Sequence, residues 1–136
     1  MDHALKVPCS LVTQGKTHLL IPNSAIVEVV KTSVLLSDDG REFVHWSNRD
    51  LPVYDERRRA HTGDNTTITV IVRTPEDNQL FAIPASQFPR SIQANMHNVT
   101  EDTRPPNTHA IAIAYILVDG QHAIIPNLDL CKKKIS

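Results

Sequence analysis

Glycine is scarce in this chain of 136 residues. The four that occur stand at 15, 40, 63 and 120, so neither G-x-G-x-x-G nor G-x-x-x-x-G-K can be written, and the common phosphate-cradling loops are excluded. Aromatic residues amount to 4% and are scattered, whereas a small barrel that binds single strands wants stacking platforms on its strands. Surplus positive charge is missing too. Fourteen basic residues against fifteen acidic ones leave a net charge of −1, a poor match to a row of phosphates. The longest apolar run, Ala110–Val118, is about half of the roughly 20 residues that a membrane span requires. Met1–Lys6 lacks the uninterrupted apolar segment of a secretory signal, so Cys9 and Cys131 read as reduced thiols of a cytoplasmic protein.

Reactive constellations are equally thin. The seven histidines, at 3, 18, 45, 61, 97, 109 and 122, include no pair three to five residues apart, which excludes a locally built zinc site. No serine has a G-x-S-x-G context, and Cys9 sits in no nucleophile motif. Asp38-Asp39 and Asp55-Glu56 read as solvated turn residues. The basic runs Arg57–Arg59 and Lys132–Lys134 have local explanations: one follows two acids, the other closes a helix at its negative end. The expectation is a protein that is not an enzyme and has no metal and no cofactor.

What the chain does hold is β-branched. Valine and isoleucine number twelve each and threonine eleven, a composition stiff at χ1 that favours strands. Turn signals cut it into strand-length pieces. Gly15-Lys16 parts Leu11–Thr13 from His18–Ile21, and Asp38-Asp39-Gly40 parts Val34–Leu36 from Glu42–Trp46. Ser47–Asp50 parts Phe43–Trp46 from Leu51–Tyr54, with Asn48 the residue best suited to a left-handed conformation. Pro75–Asn78 parts Thr67–Arg73 from Leu80–Ile83, and Asp119-Gly120 parts Ile111–Val118 from His122–Ile125. Asp-Gly favours a hairpin because both central residues of a type I′ turn need positive φ.

Thr67–Val72 alternates weakly, as a strand covered mostly on one face does. Ala110–Tyr115 alternates small and large, which suits the inside of a small tapered barrel. Ser24–Lys31 is expected to form one or two helical turns, and Asn127–Ile135 a terminal helix. The pattern of two apolar residues and Ile-Pro recurs at Leu19–Pro22, Phe81–Pro84 and Ala123–Pro126, each at the end of a hairpin's second strand. Arg57–Asn65 and His97–Thr108 read as linkers, the second as a mobile surface loop. Ile83 and Phe88 are expected in the core.

Two stretches carry a resemblance. Leu20-Ile21-Pro22-Asn23-Ser24-Ala25-Ile26-Val27-Glu28-Val29-Val30 is similar to the opening segment of CheW-like domains, where an apolar strand meets a proline and then V-x-E-V/I. Trp46-Ser47-Asn48-Arg49-Asp50-Leu51-Pro52-Val53-Tyr54-Asp55 resembles the family's R-G-x-x-x-P-V-x-D hairpin, with Asn48 in place of the turn glycine and Ser47 in place of the preceding arginine. Thr67–Arg73, Leu80–Ile92 and Ile111–Leu130 follow the order of the second lobe. The Leu-Ile-Pro-Asn opening, Trp46 and Phe88-Pro89-Arg90-Ser91-Ile92 look nearest to the ChpC and PilI branch.

The resemblance implies an all-β fold: two interlocked five-stranded SH3-like β-barrels, with a short helix in the N-terminal lobe and a C-terminal helix. Residues 1–136 would form one CheW-like domain with a lobe boundary at 57–66. It implies a non-enzymatic chemosensory adaptor in the cytoplasm, which couples the regulatory domain of a CheA-type histidine kinase to the cytoplasmic tip of a chemoreceptor in twitching motility and type IV pilus signalling. Nucleic acid would not be a partner, and the membrane only indirectly through receptors. Val27, Glu28, Val29, Trp46, Ser47, Asn48 and Arg49 would form the partner surface. The alternatives are a degenerate paralogue that binds one partner only, and a small-barrel nucleic-acid-binding module. Trp46 is weighed as binding anchor or as core residue between barrels, Glu28 as interface acid or as exposed charge.

Overall fold

A computed structural model describes residues 6–57 and 66–135. Arg58 and Arg59 of the first basic run, His61, and nearly all of the 57–66 boundary lie outside the described residues. Twelve strands and one α-helix follow in order: β1 (Val7–Gln14), β2 (Thr17–Pro22), β3 (Ile26–Ser33), β4 (Leu35–Leu36), β5 (Glu42–Trp46), β6 (Arg49–Pro52), β7 (Thr66–Arg73), β8 (Leu80–Ala85), β9 (Arg90–Ala94), β10 (Val99–Glu101), β11 (Ala112–Val118), β12 (Gln121–Pro126) and α1 (Leu128–Lys134).

The strands group into a six-stranded sheet, β10-β11-β12-β2-β1-β9, and two three-stranded sheets, β3-β7-β8 and β4-β5-β6. The described residues thus hold twelve strands in three sheets, where two sets of five are expected from the sequence. The β2–β12 contact is parallel, with Ile124 opposite Leu19, while β1 pairs antiparallel with both β2 and β9. The first two strands therefore share a sheet with the last four, and β3–β8 lie between them in the chain. A parallel bridge from Val53 to Ala82 ties the two smaller sheets together.

Strand alternation sorts the side chains into three cores. On β1 and β2, Val12, Leu19 and Ile21 join Val70, Val72, Phe81 and Ile83 of β7 and β8 in a cluster between the six-stranded sheet and β7–β8. The intervening Cys9, Leu11 and Leu20 turn the other way, against Ile92, Ile116, Val118 and Ala123. Ile71 and Ala82 face a third cluster with Val34, Val44, Leu51 and Val53. Strand β7 is thus buried on both faces at Val70, Ile71 and Val72, not on one as its weak alternation suggests. Helix α1 closes the first cluster with Leu128 and Cys131, capped by Asn127, whose Oδ1 accepts from the Leu130 N–H at 3.1 Å.

The terminal helix and the five hairpins are where the sequence predicts them; other readings change, and Asp55, expected in a solvated turn, is buried against Arg57 at 3.0 Å. Ser24–Lys31 is not helical: a single 3-10 turn at Asn23–Ala25 gives way to β3, because Ile26, Val27, Val29, Val30 and Thr32 are stiff at χ1 and find a partner strand in β7. Phe88 is 72% exposed while Ile83 is buried. The His97–Thr108 loop contains β10, paired with β11. In β11 the register shifts between Ala112 and Ala114, so that Ile113 is 66% exposed while Ile116 and Val118 point inward.

Candidate functional site

The seven residues expected on the partner surface come from two places in the fold. Val27, Glu28 and Val29 lie on β3, an edge strand of its sheet. Trp46, Ser47, Asn48 and Arg49 form the tip of the β5–β6 hairpin. The register of β3 against β7 shifts between Ile26 and Glu28, a bulge that places Val27 as the extra residue and turns the strand locally. Val27 and Val29 are 36% and 39% exposed. Glu28 falls on the same side of the strand as the half-buried Val30, which packs against the third cluster.

Trp46 joins the two elements. Its indole lies against that third cluster, within the smaller sheets, and not between them and the six-stranded sheet. Its Nε1 donates to Glu28 Oε2 at 2.8 Å. A half-buried indole N–H needs an acceptor, and a charged one strengthens the bond. The pairing brings β3 and the hairpin tip together.

The tip is a two-residue turn. Trp46 pairs with Arg49, and Ser47 and Asn48 have φ of 49 and 60, the combination of a type I′ turn. Asn48 meets the expectation; Ser47 also enters the left-handed region, which is uncommon for serine. Because directly paired residues point to one face, Arg49 emerges on the same side as Trp46. On the opposite side His45 Nδ1 meets Asp50 Oδ1 at 2.9 Å; both side chains are exposed, so the pair adds little to stability.

Two features escaped sequence reasoning. Leu35 and Leu36 of β4 are exposed, and Leu36 and Phe43 open onto a groove of about 1050 Å³ that runs toward Lys134 and Ile135. The second is a cavity of about 70 Å³ lined by His18, His109 and His122 with Asp102 and Tyr115. No local spacing announces it, since these histidines lie 91 and 13 positions apart in sequence. Among the described residues no three His, Cys, Asp or Glu side chains are placed to hold a metal. His18 has its Nδ1 2.9 Å from Thr13 Oγ1 and its Nε2 3.0 Å from Gln121 Nε2; burial, then Arg90, lowers its pKa.

Cys9 and Cys131 are free, buried thiols in different clusters. Burial first, then Glu56, pushes the Cys131 thiol up to about 12, and burial raises Cys9. Neither is poised as a nucleophile.

The comparison with known proteins bears on the fold. No family model matches the sequence, and neither does any curated protein. Among solved structures, the scaffolding protein TtCheW from Thermoanaerobacter tengcongensis matches with a TM-score of 0.64 at 13% identity, over 89% of this chain and 88% of that one. The fold is CheW-like. Within the CheW-like fold, β3 and the β5–β6 tip are separate elements that Glu28 and Trp46 bring into contact. Among the described residues no helix is long and apolar enough to cross a membrane.

Proposed function

We propose that this protein is a non-enzymatic chemosensory adaptor, a cytoplasmic scaffold that couples a CheA-type histidine kinase to chemoreceptors. The observation that carries the reading is the CheW-like fold across 89% of this chain, with 88% of the scaffold protein covered. In this reading the six-stranded sheet and the pair of smaller sheets are two SH3-like barrel lobes that form one domain. The buried cluster shared by the six-stranded sheet and β7–β8 holds them at a fixed angle, so that occupancy of one surface biases the other.

The partner surface is assigned to Val27, Glu28, Val29, Trp46, Ser47, Asn48 and Arg49. Val27 and Val29 supply exposed apolar surface on β3, and Arg49 supplies a charge at the hairpin tip beside Trp46. Glu28 is engaged by Trp46, so its role is to set the angle of the hairpin tip rather than to await a partner's cation. The Leu-Ile-Pro-Asn opening and Phe88–Ile92, with Phe88 exposed, favour the ChpC and PilI branch and hence twitching motility.

The test is calorimetric titration of the whole protein with a CheA-type regulatory domain and, separately, with a receptor cytoplasmic tip. Binding to both is expected, with Val29→Lys weakening one of them at least tenfold. Binding to one alone identifies a degenerate paralogue. Absence of both at high concentration overturns the reading, and salt-dependent retention on single-stranded DNA would replace it with a nucleic-acid module.

A further inference from the structure

The small histidine cavity repeats one arrangement that the proposed function does not use: two of its imidazoles present Nδ1 to a carboxylate. His122 of β12 has Nδ1 2.6 Å from Oδ2 of the buried Asp102. His109 has Nδ1 3.1 Å from Oε2 of Glu56, on the segment that follows β6. An ionised carboxylate can only accept, so each neutral ring carries its proton on Nδ1 and keeps its lone pair on Nε2. Neither Nε2 has a hydrogen-bond partner among the described residues, and both rings line the same cavity. The carboxylates are themselves held. Asp102 Oδ1 accepts from the Arg104 N–H at 3.0 Å, and Glu56 Oε1 accepts from the Tyr54 hydroxyl at 3.1 Å. The Tyr115 hydroxyl accepts from the His109 N–H at 2.7 Å and fixes the backbone beneath that ring. A hydrogen-bonded carboxylate on one ring nitrogen is the arrangement that orients metal-ligating histidines and raises their basicity.

We propose that His109 and His122 form a two-imidazole site for a divalent transition-metal ion such as zinc, bound through their Nε2 atoms. Imidazole suits zinc, copper and nickel, whereas magnesium and calcium prefer oxygen ligands. The cavity of about 70 Å³ has room for two waters at about 30 Å³ each, which complete a tetrahedral shell. His18 is not a third ligand. Its Nδ1 and Nε2 are engaged by Thr13 and Gln121 at 2.9 and 3.0 Å, in keeping with the absence of any three-residue metal cluster among the described residues. Charge favours a cation, since the carboxylates of Asp102 and Glu56 stand against the one ammonium of Lys16, which also lines the cavity. The His122 side chain is 53% exposed, which gives the ion a way in. With two protein ligands the site suits reversible loading, and a bound ion would link the end of the loop after β10 to β12.

The test is calorimetric titration of the whole protein with zinc chloride at about pH 7.5, where imidazole is mostly neutral, with the histidine ring nitrogens followed by NMR. Saturable displacement of the His109 and His122 Nε2 resonances is expected, while those of His18 stay in place. H109Q/H122Q is expected to abolish that binding, and E56Q, which removes an orienting carboxylate, to weaken it about tenfold. Unmoved His109 and His122 Nε2 resonances at millimolar zinc overturn the site, as does undiminished binding in H109Q/H122Q or in E56Q. Where the double variant fails to fold, the ring resonances of the parent protein decide by the same criterion.

Discussion

Replacing Gln14 by leucine measures how firmly the six-stranded sheet is fastened to its neighbours. Gln14 ends β1 with 1% of its surface exposed. Its Nε2 donates to the Tyr54 carbonyl at 3.0 Å and the Pro84 carbonyl at 2.9 Å, and its Oε1 accepts from the Glu56 N–H at 3.4 Å. One amide thus serves β1, β8 and the segment after β6. Leucine has nearly the same volume and none of these groups. Each buried partner left unsatisfied costs about 1–3 kcal/mol. The Pro84 carbonyl is discounted, since Arg57 also reaches it at 3.4 Å, as is the long Glu56 contact. Added apolar burial returns about 1 kcal/mol. The Tyr54 carbonyl is the partner left bare, and the net is a loss of about 1 kcal/mol, which for a domain of this size lowers Tm by about 4 °C. Urea unfolding followed by circular dichroism reads it as a lower midpoint at unchanged slope. A Q14L protein within about 0.5 kcal/mol of the parent would refute the claim that this amide fastens the sheets.

Trp46→Phe keeps the apolar contact and deletes the bond to Glu28; a loss of about 0.5–1.5 kcal/mol is expected by the same unfolding assay, against about 2–3 kcal/mol for Trp46→Ala. Asn48→Gly relieves the left-handed strain at the turn and is expected to add about 0.5 kcal/mol. Cys131, buried and with its thiol pushed up to about 12, is expected to resist thiol reagents at about pH 8 until the protein unfolds. His18 has its folded pKa below its unfolded value, so the unfolded state binds more protons and stability falls as pH drops below about 6.5. His18→Gln should flatten that limb of a urea-midpoint profile; an unchanged profile would assign it to other groups.

The strands and hairpins were legible because β-branched runs between turn residues leave few alternatives, and the terminal helix because Asn127 precedes a run with Leu128 and Cys131 three apart. Residues 24–31 misled because Asn23 and Ser24 are good caps, a local signal overridden when Val29 and Val30 pair with Val70 and Thr69. Phe88 misled because bulk and hydrophobicity say nothing about which side of a loop faces out. The Glu28–Trp46 bond joins residues eighteen apart, and the three histidines meet through the topology of three separate elements. Such juxtapositions depend on strand order, which no window of sequence carries.

The interleaved sheet has a consequence for how the molecule is made. On a ribosome, β1 and β2 emerge first, but the strands that flank them, β9 and β12, come last; Cys9 waits for Ile92 and Leu19 for Ile124. Closing loops of that length is entropically slow. The middle stretch, β3–β8, is synthesised whole before either closure and shelters its own apolar cluster. It is therefore expected to condense first, leaving the opening hairpin with Leu11 and Leu20 uncovered until β9, β11 and β12 have been made, and a nascent chain halted before β9 should be bound by chaperones there.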